Sequence, residues 1–252
     1  MNNFNIWLRN IQMQYSAEQT YIAQRMLQEQ GGWQSHLDRT KGYITSTIEK
    51  IQPETVRVLG SGWLFDVPVE YLCNQCKRVI LSDIFHPRQV VKKYSTNSKI
   101  SFKTTDLSGG AVDLAYNHRG TSINLIHSIK SIQPIEYADD LVISVNLLSQ
   151  LSIFITDFLR RKKKVAQYQL QEIAYAIQQN HLNGLPKNKS ILITDHEEEF
   201  LDEKGKVVGI NPTVFIPIPR NTSTEEWDWQ FDSNMTYRED CKTNLKVVAT
   251  TI

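Results

Sequence analysis

Apolar residues recur along this chain with two different periods. Ala17, Ile22, Ala23, Met26 and Leu27 follow helical spacing, and Ser16 with Gln19 forms a capping box ahead of them. Gly31-Gly32 is expected to stop that helix by supplying positive φ. Ser35 with Asp38 opens a second helix with the apolar stripe Leu37, Ile44, Ile48 and Ile51, which Pro53 closes. From Thr55 onward the period shortens. The runs Val56–Leu59, Arg78–Leu81, Ile100–Thr104, Leu141–Val145 and Ser190–Ile193 read as strands with helical stretches between them. Such alternation predicts a parallel sheet covered by helices on both faces. Ser152 to about His181 reads as one long helix, with Phe154, Ile155, Phe158, Val165, Tyr168, Ile173 and Ile177 at helical spacing. Beyond the fifth strand, Lys204-Gly205-Lys206 resembles a hairpin tip. Trp227–Phe231 and Lys246–Thr251 read as strands with no helix between them, so the sheet is expected to end in antiparallel strands.

Composition narrows the function classes. At 252 residues the chain suits one large α/β domain with an appendage. Lys and Arg total 28 against 27 Asp and Glu, which gives no electrostatic case for nucleic acid or an anionic membrane. The run Arg160-Arg161-Lys162-Lys163-Lys164 would wrap around its helix as a solvated turn and make no flat binding face. No apolar run approaches membrane-spanning length, and the N-terminal stretch lacks the features of a signal peptide, so a soluble, cytoplasmic protein is expected. Cys73, Cys76 and Cys241 make no even disulfide framework. The Cys73–Cys76 spacing has no second pair or nearby His set, so both read as helix residues and no metal is expected.

The candidate chemistry starts at "VRVLGSGWLFDVP", Val56 to Pro68, where a strand runs into Gly60-Ser61-Gly62 and a helix is expected after Trp63. Glycines at such a turn let a ligand approach the backbone. A P-loop would require Lys and a hydroxyl residue at fixed spacing after the turn, and neither is present. A dinucleotide site would require a small residue where Phe65 stands, which disfavours NAD and FAD. S-adenosylmethionine has no phosphate to cradle and tolerates a looser turn. Its ribose suits an acceptor carboxylate after the second strand, where "RVILSDIFHP" places Asp83 about twenty residues beyond the turn.

Four segments in order, "VLGSG", "VILSDIF", "FKTTDLSGG" and "ADDLVISVNLLSQL", resemble the class I, Rossmann-like S-adenosylmethionine-dependent methyltransferases. The resemblance covers Thr55 to the C-terminus. It implies a Rossmann-like domain over residues 53–252 behind an N-terminal helical extension or lid over residues 1–52, with S-adenosylmethionine as cofactor. By the same resemblance, Gly60, Ser61 and Gly62 would pass the methionine part of the cofactor, Asp83 would bind the ribose hydroxyls and Ile84 would lie against adenine. Asp106 would accept from the adenine amino group with Leu107 beside the ring, and Asn146 would face the methyl group and substrate. The chain departs from the family pattern at Val58, where many members carry an acid, and at Leu64, where they carry a third glycine; Asp66 is no obvious substitute.

Methyl transfer depends mainly on positioning, so no obligatory catalytic residue can be read from the chain. Asn146-Leu147-Leu148-Ser149 differs from the Asn/Asp-Pro-Pro-aromatic segment of nucleic-acid amino methylases, and no cysteine lies in a Pro-Cys motif. A small-molecule acceptor is therefore favoured over nucleic acid. In "EQGGWQSHLDRTK", Trp33 and His36 are candidates for a lid or substrate face, against the alternative of a packed Trp and an exposed His36. His86 is expected to cap the next helix or to border adenine, and His196 with its neighbouring acids is expected at a solvated strand end. The alternative function is a non-catalytic Rossmann-like module that binds a nucleotide metabolite or a protein partner.

Overall fold

The computed structural model describes residues 3–252. Its N-terminal part is three helices, α1 Asn3–Gln12, α2 Tyr15–Gln28 and α3 Gln30–Ile51, rather than two. Gln14 turns the chain between α1 and α2 in the left-handed region, φ 68°. Because α2 already starts at Tyr15, Ser16 is not its N-cap; the expected Ser16 side-chain bond lies outside the described residues.

Gly31 and Gly32 do not stop a helix, and Ser35 does not open one, because all three lie inside α3. The break comes earlier, at Glu29. Its buried carboxylate accepts from the backbone N–H of Ser233 (3.0 Å) and Asn234 (3.1 Å), from Ser233 Oγ (2.6 Å) and from Asn234 Nδ2 (2.5 Å). Gly32 serves contact. A Cβ there would stand 3.0 Å from the carbonyl oxygen of Gln230, so glycine lets α3 lie directly on the sheet.

The sheet contains β1 Thr55–Leu59, β2 Arg78–Asp83, β3 Ile100–Thr104, β4 Leu141–Val145, β5 Ser190–Leu201, β6 Val207–Pro212, β7 Glu225–Asp232 and β8 Lys242–Thr251. Their order is β3-β2-β1-β4-β5-β8-β7, with β6 paired to the far part of β5. The first five strands are parallel and the last three antiparallel. This is the predicted Rossmann-like, doubly wound α/β fold with an antiparallel end, and the order reverses between β1 and β4. The hairpin tip at Gly205, φ 80°, joins β5 to β6, a strand that the sequence pattern did not show.

Alternation along the strands feeds two cores. Val56, Val58, Leu141, Ile143, Ile191 and Ile193 pack with Trp33, Leu37, Ile44 and Ile48 of α3 and with α4 Val69–Gln75. Val142 and Leu192 point the other way. They meet α6 Ala111–Asn117, α7 Ser122–Lys130, α8 Ile153–Phe158 and α9 Gln167–Gly184, while α5 Arg88–Tyr94 links β2 to β3. Burial of these side chains on both faces is the main stabilising term.

The expected long helix over 152–181 is two helices. A π-helical turn, Leu159–Lys163, ends α8, Lys164 takes φ 52°, and α9 begins at Gln167. Phe154, Ile155, Phe158, Val165, Ile173 and Ile177 all pack on the second core, so the apolar spacing ran through a break that it could not reveal; Tyr168 is exposed. Lys163 Nζ donates to the His118 carbonyl at 2.9 Å, and Arg160 pairs with Asp157 at 2.5 Å. The acids around His196 are not at a solvated strand end either. β5 continues to Leu201 between β6 and β8, a bulge at His196 shifts its register, and Asp195 and Glu198 are buried. Cys73 lies in α4 with Cys76 just after it, both buried. Among the described residues, no helix is long and apolar enough to cross a membrane.

Candidate functional site

Open α/β sheets present ligand sites beyond the carboxyl ends of their strands, where the order reverses. Here the turn after β1 and the segment after β4 meet at that point. Gly60 takes φ 79°, and a Cβ on it would stand 2.9 Å from both the Val145 carbonyl oxygen and Leu147 Cβ, so this glycine is required by the fold itself. Gly62, φ 37°, donates its N–H to Asp83 Oδ2 at 2.8 Å, and Phe85 donates its N–H to Asp83 Oδ1 at 3.2 Å. Asn146 follows β4 with φ 45°, a conformation that a non-glycine residue adopts only when its surroundings hold it.

These residues border one cleft, with about 1070 Å³ of space including its open mouth. Gly60, Ser61, Gly62, Asp83, Ile84, Asp106, Leu107, Asn146, Trp33 and His36 all line it. The expected helix does not follow the glycine turn directly. Residues 63–68 form a loop, α4 begins at Val69, and Phe65 stacks on Trp63 in that loop, 5.7 Å between ring centroids, both packed against the edge of the first core.

The polar groups are only partly satisfied. Asp106 Oδ1 accepts from Ser108 N–H (2.9 Å) and Ser108 Oγ (2.5 Å), whereas its Oδ2 is buried with no partner. Ser61 Oγ, Asn146 Oδ1 and Trp229 Nε1 are likewise buried and unpartnered. Burial raises the pKa of Glu18, Asp66, Asp83 and Asp106 above the usual carboxylate range, in Asp83 against the pull of the two N–H groups on it.

The loop brings in an acid that spacing left out. Asp66 lines the cleft and its Oδ2 accepts from Asn146 Nδ2 at 2.6 Å, so the residue set aside as no substitute for the missing acid sits beside the fourth-strand segment. No local signal marks it, because only the fold of loop 63–68 returns it to the site. Tyr15, Glu18, Gln19 and Ile22 of α2 also line the cleft, and the Gln19 carbonyl accepts from Trp63 Nε1 at 2.6 Å. The sequence pattern marks Gln19 and Ile22 only as helix residues and does not mark Tyr15 or Glu18 at all.

Trp33 and His36 are both buried. Trp33 donates from Nε1 to the Phe231 carbonyl at 2.9 Å. His36 is not exposed as the alternative had it; it stacks on Trp229 with centroids 3.8 Å apart and planes 4° apart. Its Nδ1 accepts from Trp227 Nε1 at 3.1 Å, and its Nε2 lies 3.2 Å from Asn146 Nδ2. Burial pushes its pKa down to about 3, so the ring is neutral. His86 neither caps α5 nor lines the cleft. Its ring meets Phe102 edge-on at 5.1 Å, and both its nitrogens are buried without partners.

No family model and no curated protein matches the chain. Solved structures similar to it include the N-methyltransferase NodS from Bradyrhizobium japonicum WM9, 14% identical, covering 85% of this chain and 96% of that one with a TM-score of 0.37. The DhpI–SAH complex is 9% identical, covering 94% and 96%, with a TM-score of 0.39. An S-adenosylmethionine-dependent methyltransferase from Clostridium acetobutylicum ATCC 824 is 10% identical, covering 84% and 91%, with a TM-score of 0.33. Likenesses at these scores decide nothing about activity; the strand order and the cleft at its reversal identify the chain as a Rossmann-like α/β protein.

Proposed function

We propose that the protein binds S-adenosylmethionine in this cleft and transfers its methyl group to an acceptor that is a small molecule rather than nucleic acid. The observation that carries this is the pairing of two acids after adjacent strands on one cleft wall, one of them with an open acceptor. Asp106 Oδ2 is a buried carboxylate oxygen with no donor, which suits the amino group of adenine. Each oxygen of Asp83 accepts one backbone N–H and retains a lone pair for a ribose hydroxyl. Ile84 and Leu107 supply the apolar walls for the base, and the turn at Gly60, Ser61 and Gly62 supplies backbone for the methionine part.

The bound cofactor would supply an electrophilic methyl carbon. The protein's part is then to position and exclude water: Asn146 faces the reacting side, and α2 and α3 with Trp33 and His36 act as a lid over residues 53–252. No Lys or Arg lines the cleft among the described residues, which disfavours a phosphate-bearing acceptor. Calorimetric titration with S-adenosylmethionine, S-adenosylhomocysteine and NAD tests the assignment. Binding of the first two and a raised melting temperature are expected; no binding at millimolar ligand, or tighter binding of NAD, would sink it.

A further inference from the structure

This inference deepens the S-adenosylmethionine proposal and rests on it. Four carboxylates line the cleft: Glu18, Asp66, Asp83 and Asp106. The cations whose charge reaches three of them stand outside the lining: Arg25 for Glu18, Lys41 for Asp66 and Arg9 for Asp106. With Asp83 and Asp106 given to ribose and adenine, Glu18 and Asp66 remain for two cations, the methionine ammonium of the cofactor and the acceptor, together with the rings of Trp33, Trp63 and Trp229. Trp229 is also 5% exposed with its Nε1–H lacking any partner. An anionic acceptor would meet like charge here, whereas a cation meets carboxylates and aromatic side chains.

The neighbours of Asp66 suit its protonated state better than its carboxylate. Because Trp227 donates to His36 Nδ1, the neutral imidazole carries its hydrogen on Nε2, facing the Asn146 amide. With Asp66 as carboxylate, Asn146 Nδ2 donates to it, and the same amide nitrogen meets His36 Nε2–H donor to donor at 3.2 Å. With Asp66 protonated, the amide turned over would accept at Oδ1 from both the Asp66 hydroxyl and His36 Nε2–H. The amide oxygen would then have two donors, and Nδ2 would take the unpartnered place that Oδ1 has now. Trp227, His36 and Asn146 are positioning residues in this arrangement.

We propose that the methyl acceptor is an amine, bound as its ammonium ion against Asp66 and the aromatic wall, and that Asp66 takes the ammonium proton. Loss of that proton leaves a lone pair on nitrogen. The lone pair forms the N–C bond to the methyl carbon as the C–S bond breaks, its electron pair going to sulfur. The products are a methylated ammonium ion and S-adenosylhomocysteine, and Asp66 returns its proton to solvent through the open mouth of the cleft.

The test is calorimetry on the full chain in two stages. Titration with S-adenosylhomocysteine comes first, and its failure would overturn the cofactor assignment separately. The protein saturated with S-adenosylhomocysteine is then titrated with benzylamine, phenethylamine, benzyl alcohol and benzoate. The amines are expected to bind about tenfold or more tightly than the alcohol or benzoate, the scale of one charge-assisted hydrogen bond. Asp66→Asn is expected to lose that preference while binding S-adenosylhomocysteine like the wild type. Equal or tighter binding of the alcohol or benzoate, no binding of either amine at millimolar concentration, or an Asp66→Asn variant that keeps the preference overturns the amine assignment.

Discussion

Gly62 donates its backbone N–H to Asp83 Oδ2 across 2.8 Å, tying the turn after β1 to the end of β2. One carboxylate thus shapes the glycine turn and keeps acceptor capacity turned to the cleft. Asp83→Ala is expected to weaken S-adenosylhomocysteine binding by about 1.5–3 kcal/mol, the range for hydrogen bonds to a charged group, and Asp83→Asn by less. Calorimetry on variants with native circular dichroism checks this. Wild-type affinity in Asp83→Ala would remove the ribose role.

His181 gives a pH prediction free of the cleft, which it does not line. Its buried ring meets Ser144 Oγ at 2.9 Å, and burial pushes its pKa down to about 4. In the unfolded chain the ring binds a proton below about 6.5, while the folded state refuses it until much lower pH. Its stabilising contribution is therefore present above pH ~6.5 and is lost as pH falls toward about 4, at roughly 1.4 kcal/mol per pH unit. His36 acts in the same direction, and the carboxyls whose pKa is raised by burial act in the opposite one. Denaturant melts from pH 7.5 to 5 should show a shallower pH dependence in His181→Gln than in the wild type. Parallel curves would mean that His181 binds its proton as readily in the folded protein as in the unfolded chain.

Gly32→Ala tests the close approach of α3 to β7. Alanine has higher intrinsic helix propensity than glycine, so an exposed site would gain up to about 1 kcal/mol. At Gly32 the new Cβ meets backbone at 3.0 Å, and overpacking of this kind costs about 1–3 kcal/mol. A net loss of stability is expected, in contrast to Gly31→Ala, where the added Cβ meets nothing within 4 Å. Equal effects at the two positions in urea melts would contradict the contact.

Local pattern carried the sheet domain well, because strands buried on both faces are nearly continuous apolar runs that only a covered parallel sheet can hide. Val56–Leu59 and Leu141–Val145 fall at the residues expected of them, and Asp83, Asp106 and Asn146 stand at strand ends where side chains reach the cleft. Periodicity failed where both sides of a break bury on the same core, as at Lys164, and where glycine serves contact rather than conformation, as at Gly32. It also treated Asp195 and Glu198 as solvated, since nothing local announces that Ser149 and Tyr237 donate to them at 2.6 and 2.9 Å.

What the sequence determined by itself is the alternation of strands and helices, the sharp turn at Gly60 to Gly62 and the acids that follow the second and third strands. These depend on interactions within a few residues, so they are written in local order. What only the tertiary structure decided is the composition of the cleft. Asp66, Glu18, His36 and Trp229 come from a loop, two helices and the seventh strand, and Asn146 touches His36 across 110 positions of chain and Asp66 across 80. Contacts at such separation follow from how α3 seats on β7 and how loop 63–68 folds back, and both depend on burial and close packing summed over the whole molecule rather than on any local spacing.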